Sequence, residues 1–558
     1  MQSLKEVSAL VTAPGQLFEM DEVEIRGTRT RVWKHAPPSL RSILEISRLH
    51  GDKTFLVYED DRLTFEEHFR HAATFAHRLA SRHGVRKGDR VAIAMRNFPE
   101  WSVAFWGAAA IGAVVVPLNA WWTAPELEYG LRDSGAKVLV ADEERAERLA
   151  GLLPELGIPA VVVRGSGELP AGAETYDSFV GELVGELPEA AIDPDDDATI
   201  FYTSGTTGRP KGALGTQRNI TTNPVSLAYA MAVAGVRGGG ELEEVVAPRP
   251  RVSLLSVPLF HATGCHSVLV ASALAGSTIV LMHKWNATRA LELIEREGAT
   301  MFGGVPTMAW QVLTSPDFDK YDTSSLTSVS YGGAPAPPTL VEKIKELLPE
   351  RIPGNGYGLT ETSSVTTYNG GINYLTHPDS VGPPVAVCDV KVVDPAGSEL
   401  PVGEVGELLI RGPNIIKGYW NRPQATAEAF IGGWFHSGDL ARVDEEGFVY
   451  IVDRAKDMLI RGGENVYCAE VEAAIYEHPA VADAAVIGVP HEVLGEEVGA
   501  VICLRPGVSL TADDLSAFLR ERIAAFKVPA HVWFREGELP RNPGGKILKT
   551  RLRQEILG

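Results

Sequence analysis

Apolar positions early in the chain alternate between a helical and an extended period. Thr64 and Glu67 have the spacing of a Ser/Thr-x-x-Glu box, in which each side chain satisfies the other residue's backbone N–H at a helix start. Phe65, Phe69, Ala72, Ala76 and Leu79 then recur at helical spacing, and Gly84 closes the segment. The short apolar blocks Val91–Met95 and Ala113–Val116 predict strands, and Trp101–Gly112 between them predicts a helix. Strands that alternate with helices predict a mostly parallel sheet covered on both faces. The most apolar run, Val103–Leu118, is broken by Pro117 and falls short of the roughly 20 residues a membrane-spanning helix needs. It reads as a buried helix followed by a strand, and no transmembrane segment is expected.

Further along, Ala198–Tyr202 reads as a buried strand. Residues 165–197, acidic and rich in Gly and Pro, read as a surface connection, and residues 235–250 (GVRGGGELEEVVAPRP) as a mobile insertion. The character changes near Phe448–Val452, just after Asp444-Glu445-Glu446-Gly447, a hairpin turn by composition. Beyond Asp457 the pattern predicts helices at Ala469–Tyr476 and Ala512–Ala524 and strands at Ala484–Gly488 and Val498–Leu504. That is a small α+β module of about a hundred residues, an ordinary domain size. The boundary falls at Asp453–Asp457, which gives an N-terminal unit 1–453, a junction 454–457 and a C-terminal unit 458–558.

A chain of 558 residues is too long for one core, which agrees with this division. Hydrophobic content of 45% and charged content of 22% are ordinary for a globular protein. A net charge of −20 argues against general nucleic-acid binding and against attraction to anionic membranes. Cys265, Cys388, Cys468 and Cys503 are scattered, which suits free thiols in a reducing compartment. Met1-Gln2-Ser3-Leu4-Lys5-Glu6 lacks the apolar stretch of a signal peptide, so a cytoplasmic location is expected.

The strand at Ala198–Tyr202 runs into Tyr202-Thr203-Ser204-Gly205-Thr206-Thr207-Gly208-Arg209-Pro210-Lys211-Gly212, with four aliphatic hydroxyls, three glycines and a lysine in eleven residues. Glycines let backbone N–H groups approach oxygen atoms, hydroxyls add donors and Lys211 adds positive charge, so the loop suits a polyphosphate. It lacks the Gly-Lys-Ser/Thr ending of a Walker loop, because Pro210 precedes Lys211. His261, Cys265 and His266 are close in sequence but have no fourth ligand nearby, so zinc is not expected. No Gly-x-Ser-x-Gly elbow is present.

In order along the chain, the polyphosphate loop is followed by Pro258-Leu259-Phe260-His261, Tyr331-Gly332-Gly333-Ala334-Pro335 and Gly356-Tyr357-Gly358-Leu359-Thr360-Glu361. Then come Ser437-Gly438-Asp439-Leu440, Asp453-Arg454-Ala455-Lys456-Asp457 and Pro540-Arg541-Asn542-Pro543-Gly544-Gly545-Lys546. This ordered set, from about residue 40 to residue 553, resembles the adenylate-forming superfamily of acyl-CoA synthetases, firefly luciferase and peptide-synthetase adenylation domains. The resemblance implies an α/β fold: a large N-terminal domain of layered, mostly parallel sheets with helices and a β-barrel-like subdomain, and a small mobile α+β C-terminal domain. It also implies a two-step reaction. A carboxylate attacks the α-phosphate of ATP to give an acyl-adenylate and pyrophosphate, and a thiol, usually coenzyme A, then displaces AMP.

By the same resemblance, Lys546 would bridge the carboxylate and the α-phosphate, and Glu361 would hold Mg²⁺, which needs few protein ligands because it keeps waters and phosphate oxygens. Thr360 would donate to the α-phosphate. Thr203, Ser204, Gly205, Thr206, Thr207, Gly208 and Lys211 would cradle the phosphates. Tyr357, Asn355, Gly356 and Gly333 would line the adenine slot. Asp439 and Arg454 would hold the ribose hydroxyls, and Ile451 is grouped with the nucleotide-binding residues. Lys456 would be the hinge of a domain rotation that withdraws Lys546 and brings Gly462 and Gly463 in beside the pantetheine arm.

His261 resembles the acyl-pocket residue beside the carboxylate. It stands where amino-acid-activating relatives carry an aspartate, so an amino-acid substrate is disfavoured. The segments expected to line the tail pocket, Ala262–Leu274 and Met301–Trp310, are mostly small or apolar. The form Tyr331–Pro335 looks more like fatty acyl-CoA synthetases, so a fatty acid–CoA ligase is expected. An aryl-CoA ligase, or a ligase that loads a carrier protein, stays open, as does a homodimer.

Overall fold

A computed structural model describes residues 2–203, 209–247, 249–332, 338–349, 351–462, 464–542 and 545–558. Thr64 accepts the N–H of Glu67, whose carboxylate accepts the N–H of Thr64, and the helix Phe65–Arg82 starts there as the box predicts. The buried side of this helix packs on the helix Pro99–Ala110, of which every residue but Glu100 is buried. The approach is close because Gly107 has no side chain: a Cβ there would lie 2.9 Å from the Ala72 carbonyl oxygen.

Two eight-stranded sheets flank this helical layer. The first runs Gly418–Tyr419, Lys211–Thr216, Asp197–Thr203, Val114–Pro117, Arg90–Ala94, Val138–Asp142, Ala160–Val163, Ala173–Thr175. From Asp197–Thr203 to Ala173–Thr175 its neighbours are parallel, while Lys211–Thr216 turns back antiparallel. The second runs Thr367–Gly370, Ile352–Tyr357, Ser328–Gly332, Met301–Gly304, Val252–Leu255, Thr278–Leu281, Thr54–Tyr58, Asp61–Thr64, parallel except at its two edges. One hydrophobic cluster joins the facing sides: Val91 and Val115 from the first sheet, Leu254, Ile279, Phe302 and Val329 from the second, and Phe69, Phe75, Trp101 and Phe105 from the helices between them.

The place of the barrel-like subdomain is taken by an antiparallel five-stranded sheet, Asp389–Val393, Gly406–Arg411, Trp434–Val443 and Phe430–Ile431, with Val449–Arg454 also on Trp434–Val443. The expected turn is present at Asp444–Gly447, where the Gly447 N–H donates to the Asp444 carbonyl and Gly447 has φ +89°. The C-terminal region is an α+β domain with its own core of Leu459, Val471, Ile475, Val486, Ile502, Leu515 and Leu519. Its sheet runs Glu464–Val466, Leu459–Arg461, Gly495–Leu504, Val481–His491, with His531–Phe534 parallel to Gly495–Leu504.

Three local expectations change. Residues 235–250 are more ordered than their glycines suggest: the helix Gln217–Arg237 enters the segment, and a short helix, Leu242–Val246, packs against it through Val245. Residues 165–197 contain the edge strand Ala173–Thr175 and the helix Tyr176–Val180, which buries Phe179 against Phe75. The helix at Ala512 ends at Arg520, and the N–H groups of Arg522 and Ile523 both close on the Leu519 carbonyl beyond it. Among the described residues no helix is long and apolar enough to cross a membrane. All four cysteines are buried and unpaired.

Candidate active site

The site forms where strand ends of the two large sheets meet the antiparallel sheet and the C-terminal domain, the kind of place where open α/β sheets bind ligands. Thr203 ends one strand and Lys211 begins the next; the two are register partners, and the Thr203 hydroxyl reaches the Lys211 carbonyl at 3.4 Å. Ser204, Gly205, Thr206, Thr207 and Gly208, between them, lie outside the described residues, as do Gly333 and Gly463.

The strand Ile352–Tyr357 carries Asn355, Gly356 and Tyr357 to the cleft, Asn355 being buried. The chain then folds back so tightly that a Cβ on Gly358 would lie 1.4 Å from the Ser364 carbonyl oxygen; glycine is a steric requirement there. A single 3-10 turn, Thr360–Thr362, follows, and it places Glu361. The return is strained, since Ser363 and Ser364 have φ of +52° and +94°.

Asp439 anchors one side of the cleft. Pairing of Trp434–Val443 with Val449–Arg454 sets Asp439 opposite Arg454, and the guanidinium Nε reaches Asp439 Oδ1 at 2.6 Å. Tyr357 Oη donates to the other oxygen, Oδ2, at 2.6 Å. Asp439 is 2% exposed, so its charge depends on these two partners. Ile451 and Tyr357 pack on one apolar cluster formed by Val392, Leu408, Ile410 and Val449.

Lys546 joins this group from the C-terminal domain. Its pKa is lowered from 10.5 to about 8, by burial first and then by the positive charges of Arg454 and Lys456, against the pull of Asp439 and Asp457. Its loop is braced: Asn542 Oδ1 accepts the Lys546 N–H at 2.9 Å, and Arg541 joins the Gly545 carbonyl at 2.6 Å to the Asp483 carboxylate at 2.6 Å. Gly545, at φ +82°, lies so close to the large domain that a Cβ would stand 2.7 Å from Val305 Cγ2. Lys456 is also held below its ordinary value, by burial and by Arg454.

Glu361 lies within electrostatic reach of Arg454 and Asp439. Burial pushes its carboxyl up, while Tyr419 Oη, donating to Oε1 at 2.9 Å, and Arg454 pull it back. Mg²⁺ fits this carboxylate: among the described residues no group of three or more His, Cys, Asp or Glu side chains converges, and Mg²⁺ needs only one or two protein oxygens when phosphates and waters complete its shell.

Tyr419 is the member that sequence reasoning missed. Gly418–Tyr419 pairs with Lys211–Thr216, and this sets the Tyr419 ring 5.1 Å from Lys211 Nζ and its hydroxyl on Glu361. The run Gly418-Tyr419-Trp420 was available as a signal; Trp420 fixes the strand by donating from Nε1 to the Asp133 carbonyl and from its N–H to the Gly212 carbonyl.

His261 sits after the strand Val252–Leu255, at the start of a π-helical stretch, Thr263–Val270. That stretch packs tightly on the preceding loop, since a Cβ on Gly264 would lie 2.3 Å from the Pro258 carbonyl oxygen. Burial pushes the His261 imidazole down to about 4, and its Nε2 has no hydrogen-bond partner among the described residues. It is therefore a neutral ring with an unused polar atom. His266 is also neutral, pushed down to about 4 by burial with Nδ1 3.2 Å from the Ser363 carbonyl oxygen, and holds the strained return after Glu361. Gly462, at φ +60°, is on an exposed hairpin turn of the C-terminal domain, where its N–H donates to the Leu494 carbonyl at 2.8 Å. The structure thus brings together Thr203, Lys211, Tyr357, Glu361, Asp439, Arg454, Lys456 and Lys546, and leaves Gly462 on that outer turn.

Residues 45–420 match the family model of AMP-binding enzymes, and residues 470–546 match the model of the AMP-binding enzyme C-terminal domain. The chain is 38% identical over 512 residues to a feruloyl-CoA synthase from Amycolatopsis sp., covering 91% of this chain and 97% of that protein. It is 34% identical to a long-chain-fatty-acid–CoA ligase from Bacillus subtilis, covering 93% and 94%. Among solved structures it is similar to the o-succinylbenzoate CoA synthetase of Bacillus subtilis in complex with its acyl-adenylate intermediate, at a TM-score of 0.77 and 31% identity over 92% of this chain and 98% of that one.

Proposed function

Because the chain belongs to the AMP-binding enzyme family, as an adenylate-forming enzyme akin to acyl-CoA synthetases, we propose that it activates a hydrophobic-tailed carboxylic acid with ATP and transfers it to coenzyme A. The observation that carries this reading is the meeting of Lys546, Asp439, Arg454 and Glu361 in one cleft from separate parts of the chain.

In the first step a carboxylate oxygen attacks the α-phosphorus, and the bond to the bridging oxygen breaks to release pyrophosphate. Two anions must meet, so charge neutralisation and positioning dominate the barrier. Asp439, held by Arg454 and Tyr357, accepts the ribose hydroxyls. Lys211 faces the outer phosphates, and Thr360 donates to the α-phosphate. The Lys546 ammonium spans the carboxylate and the α-phosphate, where negative charge is shared in the transition state. His261, neutral, orients the carboxylate without adding charge. Mg²⁺, held by Glu361, would supply further neutralisation of phosphate oxygens.

In the second step the thiol of coenzyme A attacks the acyl carbonyl carbon, loses its proton to solvent and expels AMP. Lys546 must leave to make room, and we place the hinge for that rotation at residues 454–457, between domains 1–453 and 458–558. The turn at Gly462 then has the freedom to line the pantetheine path.

A fatty acid is the first reading of the substrate, motivated by the apolar segments Ala262–Leu274 and Met301–Trp310. An aryl acid is the second, favoured by the 38% identity to a feruloyl-CoA synthase. Pyrophosphate release from a panel of fatty and aryl acids, with and without coenzyme A, tests both. Carboxylate-dependent release without coenzyme A and thioester only with it are expected; no release with any acid overturns the proposal. Octanoate competing against ferulate decides between the two acids.

A further inference from the structure

Beside the cleft, a second group of charges is buried where the proposed hinge meets the C-terminal domain. Asp453 is 6% exposed, its Oδ1 accepts the Arg454 N–H at 2.7 Å, and its Oδ2 has no hydrogen-bond partner among the described residues. The groups that act on it come from three elements. Its own segment contributes Arg454 and Asp457; the helix Cys468–Tyr476 contributes Glu472 and the Cys468 thiol, which donates to the Asp457 carbonyl at 2.9 Å; the helix Lys549–Leu557 contributes Lys549. Lys549, three residues after Lys546, meets Glu472 Oε1 at 2.7 Å, and that same oxygen accepts the Val486 N–H at 2.8 Å.

We propose that Asp453, Glu472 and Lys549 form a latch that sets the balance between two orientations of the C-terminal domain, with Asp453 as its release element. The proposal rests on the two-orientation reading of the reaction given above. Lys549 is committed to Glu472, so the buried Asp453 carboxylate, near the carboxylates of Glu472 and Asp457, has no ion pair of its own among the described residues. Its pKa accordingly stands raised from 3.8 to about 6 by burial, with Glu472 and Asp457 adding to the rise and Lys549 and the Arg454 N–H opposing it. Rotation of the domain carries Glu472 and Lys549 away and returns Asp453 to water, where the ionised form is at ease. Ionised Asp453 therefore favours release, and protonated Asp453 favours the pose that holds Lys546 in the cleft. The sign follows from linkage: the docked pose binds the proton more tightly, so docking strengthens as pH falls through 6 and is weakest above it. A displacement of about two pH units corresponds to a bias of up to about 100-fold.

Asp453→Asn removes the charge. It is expected to keep adenylation and to slow thioester formation from supplied acyl-adenylate by one to two orders of magnitude, up to about 100-fold. Lys549→Met, which strips Glu472 of its partner, is expected to do the reverse, slowing adenylation and sparing the thioester step. Glu472→Gln frees Lys549 for Asp453 and is expected to act like Asp453→Asn. These opposed splits separate a positioning role from simple destabilisation, which lowers both steps together. Orientation is read without any acid substrate from spin-label distances between cysteines introduced at the exposed positions Val402 and Val493, the native cysteines being buried. The wild-type population shifts between pH 5 and 8, and Asp453→Asn abolishes the shift. Distances that ignore both pH and the substitution overturn the latch even in an active enzyme. Absence of pyrophosphate release with a normal distance shift instead overturns only the assigned reaction.

Discussion

Lys546 gives the sharpest test of how this cleft works. Its ammonium is displaced from 10.5 to about 8, a cost of roughly 3 kcal/mol for carrying charge in a buried site, with Arg454 and Lys456 adding to the penalty. In the proposed role adenylation needs the protonated form, so the activity should follow its titration. At pH 7.5 about three quarters of the side chains hold the proton, and at pH 9 about a tenth. Pyrophosphate release without coenzyme A, measured as kcat/KM, reports the free enzyme and avoids the ionisation of the coenzyme A thiol. It should fall about eightfold over that interval, with a midpoint near 8. Lys546→Arg keeps its charge throughout, because guanidinium titrates above 12, and its lower activity should be flat across the same range. Lys546→Met should abolish adenylation yet form thioester from supplied acyl-adenylate. A flat wild-type profile, an identical fall in the arginine variant, or equal loss of both steps in the methionine variant would refute the reasoning.

Three further outcomes are expected. Gly545→Ala places a Cβ 2.7 Å from Val305 at φ +82°; adenylation should drop about tenfold or more while the thioester step holds, and trimming the obstacle with Val305→Ala should recover part of the loss in single-turnover assays. Asp439→Ala leaves Arg454 and Tyr357 facing each other without their acceptor; calorimetry should show ATP binding weakened by about 1–3 kcal/mol. Tyr419→Phe removes a donor from Glu361 and lets burial push that carboxyl further up; a Mg²⁺ titration of activity should shift to higher concentration, most clearly at low pH, where more of the carboxylate is protonated.

What could be read from the chain depended on how local the signal was. The box at Thr64 and Glu67 and the apolar blocks at Val91 and Val114 encode their elements within a few residues, and these fall within a residue or two of expectation. The segment 235–250 misled because its glycines are locally permissive, whereas Val245 packs back on Gly235 at the end of the helix Gln217–Arg237, a contact that composition does not reveal. Tyr419 was missed for a related reason: the run Gly418-Tyr419-Trp420 is a local signal, but its meaning depends on a two-residue strand pairing with Lys211–Thr216, some two hundred residues earlier. The His261 environment was partly legible, since sequence supplies the ring but only packing sets its neutral state.

The electrostatics of the cleft point to one design constraint. Arg454, Lys456 and Lys546 gather around Asp439, with Asp457 and Glu361 nearby, and burial together with the neighbouring cations holds both lysines below their ordinary values. An excess of cations is unfavourable in the protein alone and becomes favourable when a triphosphate and a carboxylate enter. Substrate anions would relieve that strain more fully than the pull of Asp439 and Asp457 does in the protein alone. Once pyrophosphate departs, most of the negative charge goes with it, and the mutual repulsion of Lys546, Lys456 and Arg454 returns. On the proposed two-step reading, product loss thus favours withdrawal of Lys546, the direction in which the second half-reaction would proceed.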